Sequence, residues 1–419
     1  MNLPTFSNAA CLLKTTYHIN TPMFAAGANT QEAELTPTSF KGVMRFWWRA
    51  LNWSQIRLDN SNDTEALKAL HKQEAKLFGV ATNNERDFQG QGGCLLNTLS
   101  AINSNEGNSK SLLEGFNVKK KRRYNKKKSI EEDVFPIDNG LGYLLGQGLY
   151  DYKKGIQRGV ITPSQTFSIE FTVESVYREV IIDVLKLIGL LGGFGSRSRH
   201  GLGSVTLTDI SVKTAQDKTY ESLDIDVSNA ASAIHKLLTK YNCKENEKLP
   251  PISAFYAGTR IDIINNYKKD AIALLDELGE EHQVYRSYGR NGQVNGKKAE
   301  KNFKDDHDLM IQISDRSYRG IPSHPKRAIF GLPHNYFYSS GLKVNVDAST
   351  GRRSSPLFFH VHHINGNYQL ISCLLKSKFL PNDAAIDFST NRRSANVNVD
   401  WQVITDFMDR AAFANKETL

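Results

Sequence analysis

From Phe40 to Leu51 the apolar residues Phe40, Val43, Met44, Trp47 and Leu51 recur at the spacing of one helix face, because successive side chains turn by about 100°. Lys41, Arg45, Trp48, Arg49 and Asn52 fall on the other side. Thr36-Pro37 ahead of this run is a helix start signal, with proline in the first turn. Residues 63–78 repeat the helical period, opened by Asp63 and ended at Gly79. Residues 166–174 (TFSIEFTVE) alternate with period two and predict a strand with one buried face. Residues 178–191 are apolar on nearly every side and predict a buried helix. With β-rich runs at 11–19, 94–102 and 204–210, the order becomes strand, helix, strand, strand, helix, strand once an insertion at about 103–165 is set aside. That is the ferredoxin-like arrangement, an α+β fold whose helices cover one sheet face and leave the other open.

Past residue 213 the pattern changes. Residues 214–250 are polar and acidic, carry one helix near 231–241, and end at Leu249-Pro250-Pro251, where a domain boundary is expected. A strand region at 252–264, a long helix at 268–286, a polar loop at 291–308 and a hairpin of 357–364 with 368–375 around Asn365-Gly366-Asn367 follow. The expected division is a first domain at 1–213, a connecting segment at 214–250 and a second domain at 251–419. A chain of 419 residues favours two cores over one.

The net charge of +9 points to an anionic partner. Lys119, Lys120, Lys121, Arg122, Arg123, Lys126, Lys127 and Lys128 crowd into one tract. Such a tract repels itself and is expected to stay mobile until it lies on a phosphate backbone; a solvated loop is the plainer reading. The face of Lys41, Arg45 and Arg49 adds an indole, Trp48, expected to be exposed and able to support an unstacked base. The loop Gly192-Gly193-Phe194-Gly195-Ser196-Arg197-Ser198-Arg199-His200-Gly201-Leu202-Gly203 follows a helix and lacks the Lys-Ser/Thr ending of a P-loop, so nucleotide binding is not expected of it. Arg197 and Arg199 suit bidentate phosphate contacts, or else carboxylates of a neighbouring subunit. His360, His362 and His363 have only Asp347 as a nearby carboxylate, so a hairpin surface is favoured over a metal site. Cys11, Cys94, Cys243 and Cys373 lie far apart, which argues against a disulfide framework or a cysteine–zinc site. No apolar run approaches the roughly 20 residues of a membrane span, and the first ten residues carry no signal-peptide features. A reduced, cytoplasmic protein without metal, cofactor or membrane association is expected.

Thr21-Pro22-Met23-Phe24, the helix Ser39-Phe40-Lys41-Gly42-Val43-Met44-Arg45-Phe46-Trp47-Trp48-Arg49-Ala50-Leu51 and the glycine-rich loop resemble the RAMP superfamily of CRISPR proteins, and more narrowly subunit one of the type III-B (Cmr) effector complex. A fold would bring these stretches together. Lys326-Arg327-Ala328-Ile329-Phe330-Gly331-Leu332-Pro333 and Arg352-Arg353-Ser354-Ser355-Pro356-Leu357 extend the resemblance, with Ser354 where the family often has alanine. The resemblance implies a second ferredoxin-like domain in tandem with the first. It also implies a non-catalytic RNA-binding subunit that caps the end of the complex holding the 3′ part of the guide RNA. Its partners would be guide RNA, complementary target RNA and other RAMP subunits. Arg327, Arg352 and Arg353 would serve the second domain or its junction, and His200 would join Arg197 and Arg199 beside the cationic helix. Recognition would run through backbone, 2′-hydroxyls and stacking, since a guide of changing sequence cannot be read base by base. Two alternatives stand beside this. One is an RNA-processing endoribonuclease using His18 and His200 as acid and base; the other is a purely structural assembly subunit.

Overall fold

The computed structural model describes residues 10–27, 29–80, 90–107, 109–116, 118–125, 128–214, 216–225 and 229–419. The first half runs β1 (Ala10–Ile19), α1 (Pro37–Leu58), α2 (Asp63–Phe78), β2 (Cys94–Leu99), β3 (Thr166–Glu174), α3 (Arg178–Leu191) and β4 (Val205–Thr214). These strands stand in the order β2-β3-β1-β4, every neighbour antiparallel, with Glu221–Ser222 added beyond β4. Alternation decides which face is covered. Leu13, Tyr17 and Ile19 of β1 and Phe167, Ile169, Phe171 and Val173 of β3 are buried with residues of α1 and α3 in one core. On the other face Thr16 bonds Ser168 at 2.9 Å and Asn97 bonds Thr172 at 2.9 Å. Thr36 caps α1 as expected, but Asn62 rather than Asp63 caps α2, accepting from the Glu65 amide at 3.0 Å.

The second half runs β5 (Arg260–Ile264), α4 (Ala271–Arg286), β6 (Leu357–Ile364), β7 (Asn367–Leu374), α5 (Gln402–Met408) and β8 (Lys416–Thr418). Its sheet order is β6-β7-β5-β8, again antiparallel throughout. Asn365 (φ 49°) and Gly366 (φ 71°) make the left-handed turn that a two-residue hairpin loop requires. The strand expected over 252–264 contracts to β5. The polar loop expected at 291–308 instead holds a short hairpin, Gln293–Val294 with Lys297–Lys298, and the start of a helix, Lys304–Ser314. That helix supplies Met310 and Ile313 to a separate small core beneath a sheet of His334–Phe337, Lys343–Ala348, Ile386–Phe388 and Arg393–Ala395.

The two halves meet along β6, an edge strand whose free backbone groups need partners. The Phe359 amide donates to the Arg199 carbonyl at 3.0 Å, the Val361 amide to Ser204 Oγ at 3.1 Å and the His363 amide to Thr206 Oγ1 at 3.0 Å. Asn20 Nδ2 donates to the Val361 carbonyl at 2.7 Å. His360 is 1% exposed, and its Nδ1 donates to the Gly192 carbonyl at 2.8 Å. Burial pushes its pKa from 6.5 down to about 3. The unfolded imidazole therefore gains a proton below pH 6.5 and the folded one does not until about 3. Stability is complete above that window and falls as pH drops through it, by about 2 kcal/mol at pH 5 for this residue alone. Melting temperature measured from pH 8 to pH 5 is expected to fall, and to fall less in His360→Gln.

The insertion also ties the halves together. Its helix Asn139–Leu145 crosses α4 at Gly140 and Gly279, each without room for a Cβ against the opposing backbone: Asp276 O for one, Gly140 O for the other. The Leu141 amide donates to Asp276 Oδ1 at 2.8 Å.

Candidate nucleic-acid interface

The glycine-rich loop is built onto the Thr21–Phe24 segment, as the sequence suggested. The Gly203 amide donates to the Pro22 carbonyl at 2.9 Å, and the Ser196 amide to the Phe24 carbonyl at 2.9 Å. Thr21 Oγ1 donates to the Gly201 carbonyl at 2.7 Å. Such close approach needs glycine: Gly195 (φ 84°) would press a Cβ to 2.7 Å from Phe24, and Gly203 (φ 65°) would collide with the Phe194 carbonyl. Arg197 itself is held at a φ of 63°, in the left-handed region that costs a non-glycine residue about 1–3 kcal/mol.

This loop forms one wall of a cleft of about 1170 Å³, and the segment from Gly331 to Asn335 together with Arg352 and Arg353 forms another. Six arginines line it: Arg158, Arg197, Arg199, Arg286, Arg352 and Arg353. Among the described residues none of them is ion-paired to a carboxylate. Asp151 is the only carboxylate among the residues lining the cleft, and it accepts from the Lys153 and Lys154 amides at 2.8 and 2.9 Å. Burial, with Arg353 as a like charge beside it, pushes Arg199 down to about 10. Partial desolvation against the cleft wall and then Arg352 lower Arg197, and burial lowers Arg353 and Arg286. All remain cationic at neutral pH, so the cleft holds mutually repelling charge that an anion would relieve. Tyr143, Tyr150, Tyr152 and Phe337 supply ring surface to the same cleft.

Within the cleft the arginines differ. Arg199 donates to the Ser355 carbonyl and lies 4.3 Å from the Phe358 ring, and Arg353 donates to Ser377 Oγ at 2.7 Å. These two brace the walls, while Arg197 and Arg352 are exposed. Arg327 sits beside the cleft, over the Tyr336 ring at 4.3 Å, with Nη1 donating to the Arg286 carbonyl at 2.9 Å.

The other expected positions divide. Trp48 is buried, 3% exposed, and meets Phe78 of α2 edge-on with ring centroids 6.2 Å apart, so it offers no base a platform. The open cationic face expected of α1 is instead an interface. Arg45 Nε and Arg49 Nη1 each lie 2.6 Å from one oxygen of Glu74, whose side chain is 4% exposed. Lys41 is half-buried, and burial and then Arg45 lower its pKa. The helical wheel assumed one buried face, but α1 is packed between the sheet and α2. The described part of the basic tract is largely a strand. Lys121–Asn125 pairs antiparallel with Ile130–Val134, where Lys120 reaches Asp133 at 2.8 Å, Arg122 reaches Glu131 at 3.6 Å and Lys128 reaches Glu132 at 3.5 Å. Lys119, Lys121 and Arg123 are exposed on it, whereas Lys126 and Lys127 lie outside the described residues. The Phe135 amide donates to the Tyr152 carbonyl at 2.8 Å, which sets this hairpin at the rim of the cleft.

The two histidines considered from sequence as an acid–base pair each pack against another histidine. His18 stacks on His363 at 4.7 Å and pairs its Nδ1 with Asn20 Oδ1 at 2.9 Å. The His200 ring stands edge-on to His282 at 5.9 Å, and burial with nearby arginines pushes its pKa down to about 3. A neutral imidazole held there supplies no general acid near neutral pH. His360 and His362 are engaged by Gly192 and Thr206.

Residues 16–206 match the family model described as RAMPs, RAMP superfamily. A stretch of 68 residues is 41% identical to the CRISPR system Cmr subunit Cmr1-2 of Pyrococcus furiosus, covering 16% of this chain and 33% of that relative. The match thus spans about a third of the relative's length. Among solved structures, apo Cmr1 from Pyrococcus furiosus is similar over 88% of this chain and 90% of that chain, at 16% identity and a TM-score of 0.47. A chain of the type III-B Cmr-beta complex bound to cognate target RNA is similar over 96% of this chain and 98% of that chain, at 11% identity and a TM-score of 0.44. Residues 16–206 are therefore similar to the RAMP superfamily, and the chain resembles subunit one of the type III-B Cmr complex.

Proposed function

We propose that this chain is a non-catalytic RNA-binding subunit of a type III-B Cmr interference complex. It caps the end that holds the 3′ part of the guide RNA and contacts the paired target RNA and neighbouring RAMP subunits. The observation that carries the reading is the cleft in which Arg158, Arg197, Arg199, Arg286, Arg352 and Arg353 converge, none of them ion-paired to a carboxylate among the described residues, while the lining Asp151 is taken up by the Lys153 and Lys154 amides. Arginines left unpaired beside tyrosine rings suit a single strand, whose phosphates and exposed bases they engage together. The strand orders β2-β3-β1-β4 and β6-β7-β5-β8 support two ferredoxin-like units in tandem, at 1–213 and 251–419, joined by 214–250. In this reading the insertion at about 103–165 extends the basic track through Lys119, Lys121 and Arg123.

The test is binding of labelled single-stranded RNA across a salt series, with the products run on a denaturing gel. Uncut RNA whose affinity falls steeply with salt is the expected result. Discrete products lost in His18→Ala or His200→Ala would return the endoribonuclease reading. Unchanged RNA affinity after the exposed cleft arginines are neutralised would leave an assembly subunit.

A further inference from the structure

Beside the arginine cleft lies a smaller hollow of about 230 Å³, which shares Asn335 and Phe337 with it. Its walls are mostly rings: Tyr288, His307, Tyr336, Phe337 and Tyr338, with Arg327 among them. Several are fixed by their neighbours. The rings of Tyr288 and His307 stack 3.8 Å apart and 8° from parallel. Tyr338 lies 4.8 Å from His307 and donates its hydroxyl to the His307 carbonyl at 2.8 Å. Arg327 is anchored to the Arg286 carbonyl, and its buried Nε has no hydrogen-bond partner among the described residues. Phe337 is 58% exposed at the mouth, a large ring with little packing role.

Charge narrows the occupant. Lys301 lies 5.4 Å from the Tyr288 ring and Lys343 lies 5.7 Å from the Phe337 ring, so with Arg327 the surroundings disfavour a cationic guest. The nearby carboxylates are engaged: Asp308 meets His307 Nδ1 at 3.1 Å, and Asp306 accepts from the Lys326 and Arg327 amides at 2.8 and 2.7 Å. What fits is a flat, unstacked group attached to an anion, and the hollow is far too small for a duplex.

We propose that this pocket takes one unstacked nucleobase of a strand whose phosphates lie in the arginine cleft, an assignment that rests on the RNA-binding reading above. The base is held by ring contact at Phe337 and faces the Arg327 guanidinium that lines the hollow, and its sugar-phosphate passes the shared wall at Asn335.

The experiment uses the full chain with single-stranded RNA in which one 2-aminopurine is moved through the sequence. Wild type is expected to show a fluorescence change confined to one position. Phe337→Ala, at an exposed site that the fold does not need, is expected to abolish that change and weaken binding about tenfold. Arg352→Ala is expected to weaken binding while keeping the position-specific change at saturating RNA. Binding that depends on Arg352 but shows no such position would overturn the pocket and leave the cleft reading intact. Saturable binding of AMP that is lost in Phe337→Ala, with no responsive RNA position, would overturn a strand-borne base in favour of a free nucleotide. Failure to bind RNA at all defeats the cleft reading, and the pocket with it.

Discussion

Replacing Arg158, Arg197 and Arg352 together by alanine is expected to weaken single-stranded RNA binding about thirtyfold or more and to flatten its salt dependence. Each phosphate contact to a single strand contributes about 0.7 to the slope of log affinity against log salt, so losing three removes about 2. Arg197 and Arg352 are exposed, and none of the three is ion-paired to a carboxylate among the described residues, so removing them strands no described buried counter-charge. Arg45→Ala/Arg49→Ala is the informative contrast. Those side chains satisfy Glu74, which is 4% exposed on its side chain, and removing both leaves a buried carboxylate alone. That costs about 3 kcal/mol or more. The contrast variant is expected to melt earlier while keeping the wild-type salt slope. A salt slope that follows Arg45 and Arg49 rather than the cleft would return the strand to the α1 face.

Gly279→Ala is expected to destabilise the protein by about 3 kcal/mol, an effect of unusual sign. Within an ordinary helix, alanine in place of glycine gains about 1 kcal/mol. Here Gly279 lies inside α4, but its missing Cβ is the space occupied by the Gly140 backbone. The added methyl group must push apart the insertion helix and α4. Thermal unfolding measures the loss directly. RNA affinity is expected to fall as well, because the insertion helix carries Tyr143, and the chain leaving it Tyr150 and Tyr152, into the cleft. A variant melting above wild type would show that the helices do not cross there in solution.

Local periodicity determined much of this molecule. β1, α1, α2, β3, α3, α4 and the β6–β7 hairpin stand within a few residues of where alternation, helical spacing and turn chemistry place them. The turn at Asn365-Gly366 and the glycines around Phe194 were legible because a backbone conformation demands a residue type. Arg197, Arg199, Arg352 and Arg353 could be suspected one at a time. A signal for the α1–α2 ion pair was also present, since Glu74 interrupts the apolar stripe of Ala66, Leu70 and Leu77.

Only the tertiary structure decided which cations face solvent and which face each other. A helical wheel knows one helix and cannot know that a second covers its polar side, so Trp48, Arg45 and Arg49 looked open. The run Lys119–Lys128 looked self-repelling because its partner strand, Ile130–Val134, supplies Glu131, Glu132 and Asp133 across a hairpin rather than along the chain. Arg158, Arg286 and the cleft tyrosines carried no mark in sequence, because they come from segments far apart that share a wall only after folding. Secondary structure follows from forces between near neighbours along the chain. The cleft depends on which distant side chains are left without a partner when the two halves close, and that follows only from the packed whole.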